Sequence, residues 1–460
     1  MDEALGLDGL RTQVRSMTAE IIQLVKKRMD LAQKIGDIKN RFEIQIEDEA
    51  VEQELQNDAQ ELGRQIGLDG NFIGRLLNLL LTESVRIQKF QTSKQPDNLN
   101  HMTMFMRAKK LESEGKKIIH LEVGEPDYFP PPSVKDALVK ACQRGQVRYT
   151  EPQGISRLRA EISKQFNGVE KDQVIVTPGG RFAVFSAIVA TVSMGEEILI
   201  LEPAWPAYKE CADFIGAKTK VISTSLEQGW DPEFEQIRKL ISKNTRMLIL
   251  NYPNNPTGKI ITQDLLQKIL GLAQENSIFV LSDEVYSGYA YSRFKTILDY
   301  AYDRSIMVSS FSKSYAMTGF RIGYAIGCKN IINKMTQIQA VAITSVSEPI
   351  QYAALSALRK KPTNNAQRIK KRLEFMNKRL KEMPLEFRPP DGGMYFFVRF
   401  IGDTKNTMDI IEDLMQRGVA VAPGIGFGRC YGNFLRISAC QPRAILERGL
   451  DIIESVVRSR

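Results

Sequence analysis

Five short runs rich in strand-forming residues punctuate residues 102–460: VIVTPGG, EILILEPAWP, MLILNYPNNPTG, IFVLSDEVY and IMVSSFSKS. Each has an apolar stretch of strand length and then meets Gly, Pro, Asn or Ser, whose backbone preferences end strands. Helical stretches separate most of them. That alternation favours crossovers between parallel strands, so this part of the chain reads as α/β with a largely parallel sheet. Ligands in such folds bind beyond the carboxyl ends of the strands, which is where every polar cluster of these runs falls.

Residues 5–91 have a different texture. They contain no proline and read as three helices. The first carries apolar residues at Leu7, Leu10, Val14, Met17, Ile21, Leu24, Leu31, Ile35 and Ile38, a helical stripe about ten turns long. A break at Asn40–Ile46 leads to a charged helix over Asp48–Leu62; a second break at Gly63–Gly70 leads to a helix over Asn71–Phe90. The polar stretch QTSKQPDNLN, 91–100, reads as a linker. Charge divides at the same place: residues 1–95 are net −3 and the remainder net +12, making +9 in all. The sequence therefore predicts an all-α three-helix module at 1–92, a linker at 93–101 and an α/β module at 102–460. The basic surplus of the second module suits anionic metabolites and phosphate groups as well as nucleic acid.

The rare residues narrow the chemistry. Only two histidines occur, His101 and His120, so no His cluster is available to hold a metal and no metal site is expected. Five cysteines without a CxxC pair read as reduced thiols. The longest uncharged apolar stretch, Phe182–Gly195, is shorter than the roughly 20 residues of a membrane helix. The acidic start MDEALGLDGL lacks a signal-peptide pattern. A cytoplasmic enzyme with no membrane or nucleic-acid partner is the expectation.

Several polar residues sit in phase with the apolar faces of the helical module. Arg28 lies five whole turns after Leu10, and Lys39 follows almost in phase. Asp48 and Glu52 are i,i+4 neighbours; Leu77, Leu81, Ser84 and Gln88 form one stripe whose last two members are polar. Snorkelling charges or an interhelical ion pair explain any one of them. Together they suggest an anionic ligand, because buried cations without one are costly. The module resembles the all-helical chorismate mutases over about residues 5–91. The match lies in Leu10-Arg11, the R-x-x-L-A-x-x-I-G-x-x-K run from Arg28 to Lys39, Asp48 and Glu52, then Ser84 and Gln88. The resemblance implies that Arg28, Lys39 and Arg11 of a partner protomer hold the carboxylates and ether oxygen of chorismate. It assigns the substrate hydroxyl to Glu52 and the ether oxygen to Gln88, and counts Asp48 and Ser84 among the binding residues. Val51 departs from the pattern, standing where members commonly carry Arg.

In the second module, FSKSYAMTGFR places Lys313 after a strand, with Ser310 and Ser312 ahead of it and Arg321 eight residues on. That set suits a Schiff base beside a phosphate. TPGGRF opens a helix after a strand, so the amides near Gly180 and Arg181 can cradle a phosphate. SDEVY sets Asp283 at a strand end with Tyr286 three residues on, NNPTG puts Asn255 in a turn, and Trp205 can stack on a flat ring. Singly these could be a plain turn, a helix cap and surface charges. Their order resembles the fold-type I, pyridoxal-phosphate-dependent aminotransferases of the aspartate aminotransferase family over nearly all of 102–460. The resemblance implies a large cofactor domain at about 141–374 and a smaller α+β domain from about 102–140 and 375–460. It makes Lys313 the Schiff-base lysine and proton shuttle, and pairs Asp283 with the pyridine nitrogen of pyridoxal 5'-phosphate. Tyr286 and Asn255 then contact the ring oxygen. Ser310, Ser312, Arg321 and the Gly180–Arg181 amides take the phosphate, with Tyr149 reaching in from the partner. Arg436 clamps the substrate α-carboxylate, and Gly124 lies on the loop that closes over it. Arg181 also keeps a positive charge where one subgroup binds a distal carboxylate, although its backbone amide alone could be what matters.

The two resemblances together imply a bifunctional enzyme, a homodimer or larger homo-oligomer, of aromatic amino acid biosynthesis. Chorismate would become prephenate, and prephenate would be aminated to arogenate with glutamate or aspartate as donor. Phenylpyruvate or 4-hydroxyphenylpyruvate is the alternative acceptor, and plain aspartate exchange beside a regulatory or dimerising helical module another. Some transcription regulators fuse a DNA-binding helical module to an aminotransferase-like domain, but residues 1–95 are acidic and offer no basic recognition helix.

Overall fold

The computed structural model describes residues 2–41, 49–91, 101–360, 364–401 and 407–459. The chain divides into two compact units, Met1–Asn98 and Leu99–Arg460. The sequence-derived linker lies outside the described residues, except that His101 opens a helix.

The first unit is three helices: α1 (Asp2–Arg41), α2 (Glu49–Gln65) and α3 (Gly70–Gln91). Helix α3 packs against both others. Two glycines permit close approach. A Cβ at Gly36 of α1 would lie 3.0 Å from Gln88 Cγ, and one at Gly63 of α2 would lie 2.7 Å from Ile73 Cγ1. The sequence stripe on α1 does not face this packing. Met29, Ala32 and Gly36 are buried, whereas Leu10, Val14, Met17, Ile21, Leu24, Leu31, Ile35 and Ile38 are exposed, Leu10 at 60%. The reason is geometric: close contact with α3 selects the small-residue face, and the bulky stripe is left outward.

The second unit opens with α4 (His101–Ser113) and β1 (Ile119–His120). Its main sheet uses β2 (Val174–Thr177), β3 (Glu197–Glu202), β4 (Lys218–Ser223), β5 (Thr245–Asn251), β6 (Phe279–Asp283), β7 (Ser305–Ser310) and β8 (Gly323–Gly327). Their order is β2-β8-β7-β6-β5-β3-β4, parallel except that β8 runs antiparallel to both neighbours. The five runs read from sequence are β2, β3, β5, β6 and β7. These strands are buried almost throughout because helices cover both faces, which explains their unbroken apolar character.

A second sheet uses β9 (Leu385–Glu386), β10 (Tyr395–Phe400), β12 (Ala422–Pro423) and β13 (Phe434–Ser438), while β11 (Val419–Ala420) pairs in parallel with β1. Its core includes Met104 of α4 and Ile369, Leu373, Met376 and Leu380 of the helix Asn365–Leu380. That helix packs here as a whole, so the expected 374/375 boundary cuts through it: its apolar face spans the cut. Among the described residues, no helix is long and apolar enough to cross a membrane.

Candidate active sites

In the second unit the polar residues converge because parallel strands deliver them to one edge. Strands β5, β6 and β7 end at Asn251, Asp283 and Ser310, and β2 ends just before Gly179-Gly180. A cavity of about 400 Å³ opens there, lined by Lys313, Asp283, Asn255, Trp205, Arg321 and Arg436 among others. Ser310 Oγ lies 3.0 Å from Ser312 Oγ, and both residues are buried. Arg321 adopts a left-handed backbone (φ 51°) and donates from Nη1 to Thr318 O at 3.0 Å. Helix Gly180–Thr191 starts beside it, so its first amides point into the same corner.

Asp283 is buried at the cavity floor. Its Oδ2 accepts from Tyr208 Oη at 2.7 Å and its Oδ1 from the Val285 amide at 3.2 Å. Asn251 Nδ2 donates to the Asp283 carbonyl at 2.9 Å, and Asn251 Oδ1 accepts from the Asn255 amide at 2.9 Å. Burial pushes the Asp283 carboxyl up to about 6, opposed by Tyr208, the Val285 amide and Lys313. Tyr286 Oη lies 2.8 Å from Tyr395 Oη, and burial raises its pKa well above the ordinary phenol value. Lys313 Nζ donates to Gly124 O at 2.6 Å.

Arg436, 2% exposed, lies on β13 with its guanidinium carbon 4.2 Å from the Tyr395 ring centre. Nη1 donates to Asn255 Oδ1 at 2.8 Å, and Nη2 to the Glu122 carbonyl. Two pegs hold the fork, leaving its other N–H groups to meet a carboxylate. Arg181 lies over Trp205, 4.7 Å from the ring centre, with Glu210 3.4 Å away. Tyr149 is 87% exposed and joins a separate groove with Val147 and Ser345–Pro349, so its own chain does not bring it to the cavity.

The corner beside Arg321 is open because it is built from glycine. A Cβ at Gly179 (φ +90°) would lie 2.8 Å from Arg321 Nη2, and one at Gly323 would lie 2.7 Å from the Gly180 amide nitrogen. An anionic arm fits that cradle, a flat ring fits against Trp205, and Asp283 stands ready for a ring cation. The residues suit pyridoxal phosphate. Sequence reading missed Tyr208, Asn251 and Tyr395. Tyr208 lies two residues past the quoted EILILEPAWP and Asn251 ends the strand of MLILNYPNNPTG, but Tyr395 is hidden in the apolar run MYFFVRF.

Residues 116–453 match the family model "Aminotransferase class I and II". The chain belongs to this family. Its cofactor is accordingly pyridoxal 5'-phosphate. An aspartate aminotransferase of Thermotoga maritima is 33% identical over 367 residues, covering 78% of this chain and 96% of the relative. The aspartate/prephenate aminotransferase of Thermus thermophilus is 31% identical over 363 residues, covering 76% and 94%. The crystal structure of the Thermotoga maritima aspartate aminotransferase superposes with a TM-score of 0.75 at 32% identity, covering 80% of this chain and 99% of that one.

Residues 10–89 match the model "Chorismate mutase type II", so the aminotransferase domain follows a chorismate mutase domain. Arg28 donates from Nη1 to Leu80 O at 2.9 Å and to Ser84 Oγ, and burial lowers its pKa from the ordinary guanidinium value. Gln88 is buried, with no hydrogen-bond partner for Oε1 among the described residues. Lys39 and Glu52 are half-buried on α1 and α2. Asp48 lies outside the described residues. Arg11 is largely exposed and pairs with Asp8 at 3.2 Å. Seventeen residues of helix, about 25 Å, separate Arg11 from Arg28, so one chain cannot bring both to one ligand.

Proposed function

We propose that the chain converts chorismate to prephenate in its first unit and aminates prephenate to arogenate in its second, with glutamate or aspartate as donor. The adjacency of the two matched segments carries this reading: only residues 90–115 lie between them. That is too short for a further enzyme domain of about 50 residues or more. Prephenate is therefore the product next to hand, and the Thermus relative's name includes it. The cavity suits such a substrate. Met102, Phe105 and Val123 give it an apolar side for a ring, and Arg181 a cation for a second carboxylate.

In the mutase unit Arg28, Lys39 and the partner protomer's Arg11 bind the substrate carboxylates and ether oxygen. Glu52 takes the hydroxyl, Gln88 supports the breaking ether bond, and Ser84 and Asp48 complete the ligand set. No nucleophile is needed for a pericyclic rearrangement; the cage holds the compact conformer and stabilises developing charge. The exposed α1 stripe is covered by a second copy, which brings Arg11 across.

In the aminotransferase unit pyridoxal phosphate, when bound, supplies an electron sink for the substrate α-carbon. Lys313 tethers it and moves the α-proton. Asp283, held by Tyr208, keeps positive charge on the ring nitrogen. Asn255 and Tyr286 contact the ring oxygen, while Ser310, Ser312, Arg321 and the Gly180–Arg181 amides hold the phosphate with the partner's Tyr149. Arg436 grips the α-carboxylate beneath the Gly124 loop. The five free thiols suit the cytoplasm.

Incubating the full-length protein with chorismate, glutamate and pyridoxal phosphate tests the reading by mass spectrometry. Arogenate should form, and should vanish in Lys313→Ala and in Arg28→Ala. Prephenate accumulating without amination would overturn the second assignment; amination of phenylpyruvate in its place would substitute the aromatic oxo acid.

A further inference from the structure

Segment Leu121–Gly124 contributes no reacting side chain, yet two of its carbonyls hold the two working cations of the transamination site. Glu122 O accepts from Arg436 Nη2, and Gly124 O accepts from Lys313 Nζ. Side chains two apart on extended backbone share a side, so His120 and Glu122 meet. Glu122 is fully buried; its Oε1 lies 2.7 Å from His120 Nδ1, and its Oε2 has no partner among the described residues. His120 Nε2 lies 3.1 Å from Glu112 Oε1 on α4, whose Oε2 takes Lys109 Nζ at 2.8 Å. Each imidazole nitrogen faces a carboxylate oxygen. With ionised carboxylates both nitrogens must donate, which is the doubly protonated ring. Transamination as derived above uses none of these three side chains.

We propose that Glu112, His120 and Glu122 form a positioning array for Arg436. The imidazolium neutralises buried Glu122 and so keeps the Glu122 carbonyl on the guanidinium, with the other N–H groups aimed at the substrate. This rests on the reading of Arg436 as the α-carboxylate clamp. An uncompensated buried carboxylate is costly, and movement of the main chain or entry of water relieves it. Here that movement would disturb the Leu121 bonds to Ala420 O and from the Ser438 amide, each 2.9 Å, and with them the neighbouring Arg436.

The charged groups about His120 are Glu112 and Lys109 from α4 and Glu122 from its own segment, with Arg436 of β13 reached through the Glu122 carbonyl. Strand β11 pairs Ala420 with His120, and Phe105 lies 5.9 Å from its ring. The bond to Glu122 raises the His120 pKa above the ordinary imidazole value, against desolvation. The array is therefore intact below that raised value and is lost as pH climbs through it.

Maleate, a dicarboxylate that stays fully charged above neutrality, is the probe, with calorimetric titration of full-length protein loaded with pyridoxal phosphate. Wild-type affinity should weaken about tenfold as pH climbs from below the ordinary imidazole value through the raised His120 value, while Glu122→Gln, which needs no counter-charge, should hold its low-pH affinity. Titrations common to both proteins cancel in that comparison. His120→Asn should bind about tenfold more weakly throughout, and His120→Asn/Glu122→Gln should recover. The thermal melt and the bound pyridoxal phosphate absorbance of the same chains report that the second unit of each variant is folded; if His120→Asn fails to fold, Glu122→Gln still decides. A wild-type pH profile in Glu122→Gln overturns the array. Arg436→Lys separates the underlying reading: unchanged maleate affinity there would remove the clamp itself, whereas a loss there with no effect of Glu122→Gln removes the array alone.

Discussion

The two units solve ligand binding with opposite geometries. In the mutase unit the polar residues stand along the sides of helices, spread from Arg11 to Gln88, and a single chain leaves Arg11 some 25 Å from Arg28. In the aminotransferase unit they stand at the ends of adjacent parallel strands about 5 Å apart, so one chain gathers nearly the whole set. A helix face displays a repeating pattern over a long distance, whereas strand ends concentrate chemistry at one edge. On the proposed reading the first therefore recruits a neighbour for its site, and the second asks one only for Tyr149.

The comparison can be broken at its strongest point first. Lys313→Ala should cut transamination by about 10²–10⁴-fold or more, read as amino-acid formation, while chorismate consumption stays at its normal rate. Loss of both activities would mean that the units do not fold independently. Arg28→Ala should do the reverse, lowering the mutase rate by about 10²–10³-fold, as removal of one preorganised charge partner does. Mixing Arg28→Ala with Arg11→Ala should then restore about a quarter of the mutase activity, because half of randomly paired dimers carry one intact site of two. No recovery on mixing would place Arg11 outside the shared site.

Asp283 offers a thermodynamic contrast. Its folded value of about 6 exceeds the ordinary carboxyl value, so the folded protein without cofactor binds a proton that the unfolded chain does not. Stability from this group is therefore present at low pH and lost as pH rises through about 4 to 6, by about 3 kcal/mol. Thermal melts of the cofactor-free protein across that window should show the slope, Asp283→Asn should flatten it, and pyridoxal phosphate should reverse it. The smallest effect belongs to Gly36→Ala. Helix propensity favours alanine, but its Cβ would press on the Gln88 backbone at 3.1 Å, so the mutase rate should fall about tenfold with transamination unchanged.

Much of this was legible because local rules and the final fold agree. The break between α2 and α3 falls at the turn-forming Gly67, with φ +74°, and Asp69, and the five strands were visible as buried apolar runs with polar ends. What stayed hidden depended on non-local pairing. Strand β8, GYAIG, is short and glycine-rich and becomes a strand only between β2 and β7. Nothing in the sequence separates Tyr208 and Tyr395 from core aromatics, since a phenol's role is set by what lies at its hydroxyl. The α1 stripe is the converse case, because periodicity shows that a helix has an apolar face but not what that face packs against. Packing against α3 took the narrow Met29–Ala32–Gly36 face.

On the proposed assembly, that outward stripe gives concentration a hold on one activity. If a second copy must cover it to complete the mutase cage, dilution removes working sites without altering any residue in them, and chorismate turnover per chain falls with protein concentration. Saturating pyridoxal phosphate cannot compensate, because the missing piece is another copy of Arg11. Abundance in the cell would then set the specific activity of the first step as well as its total.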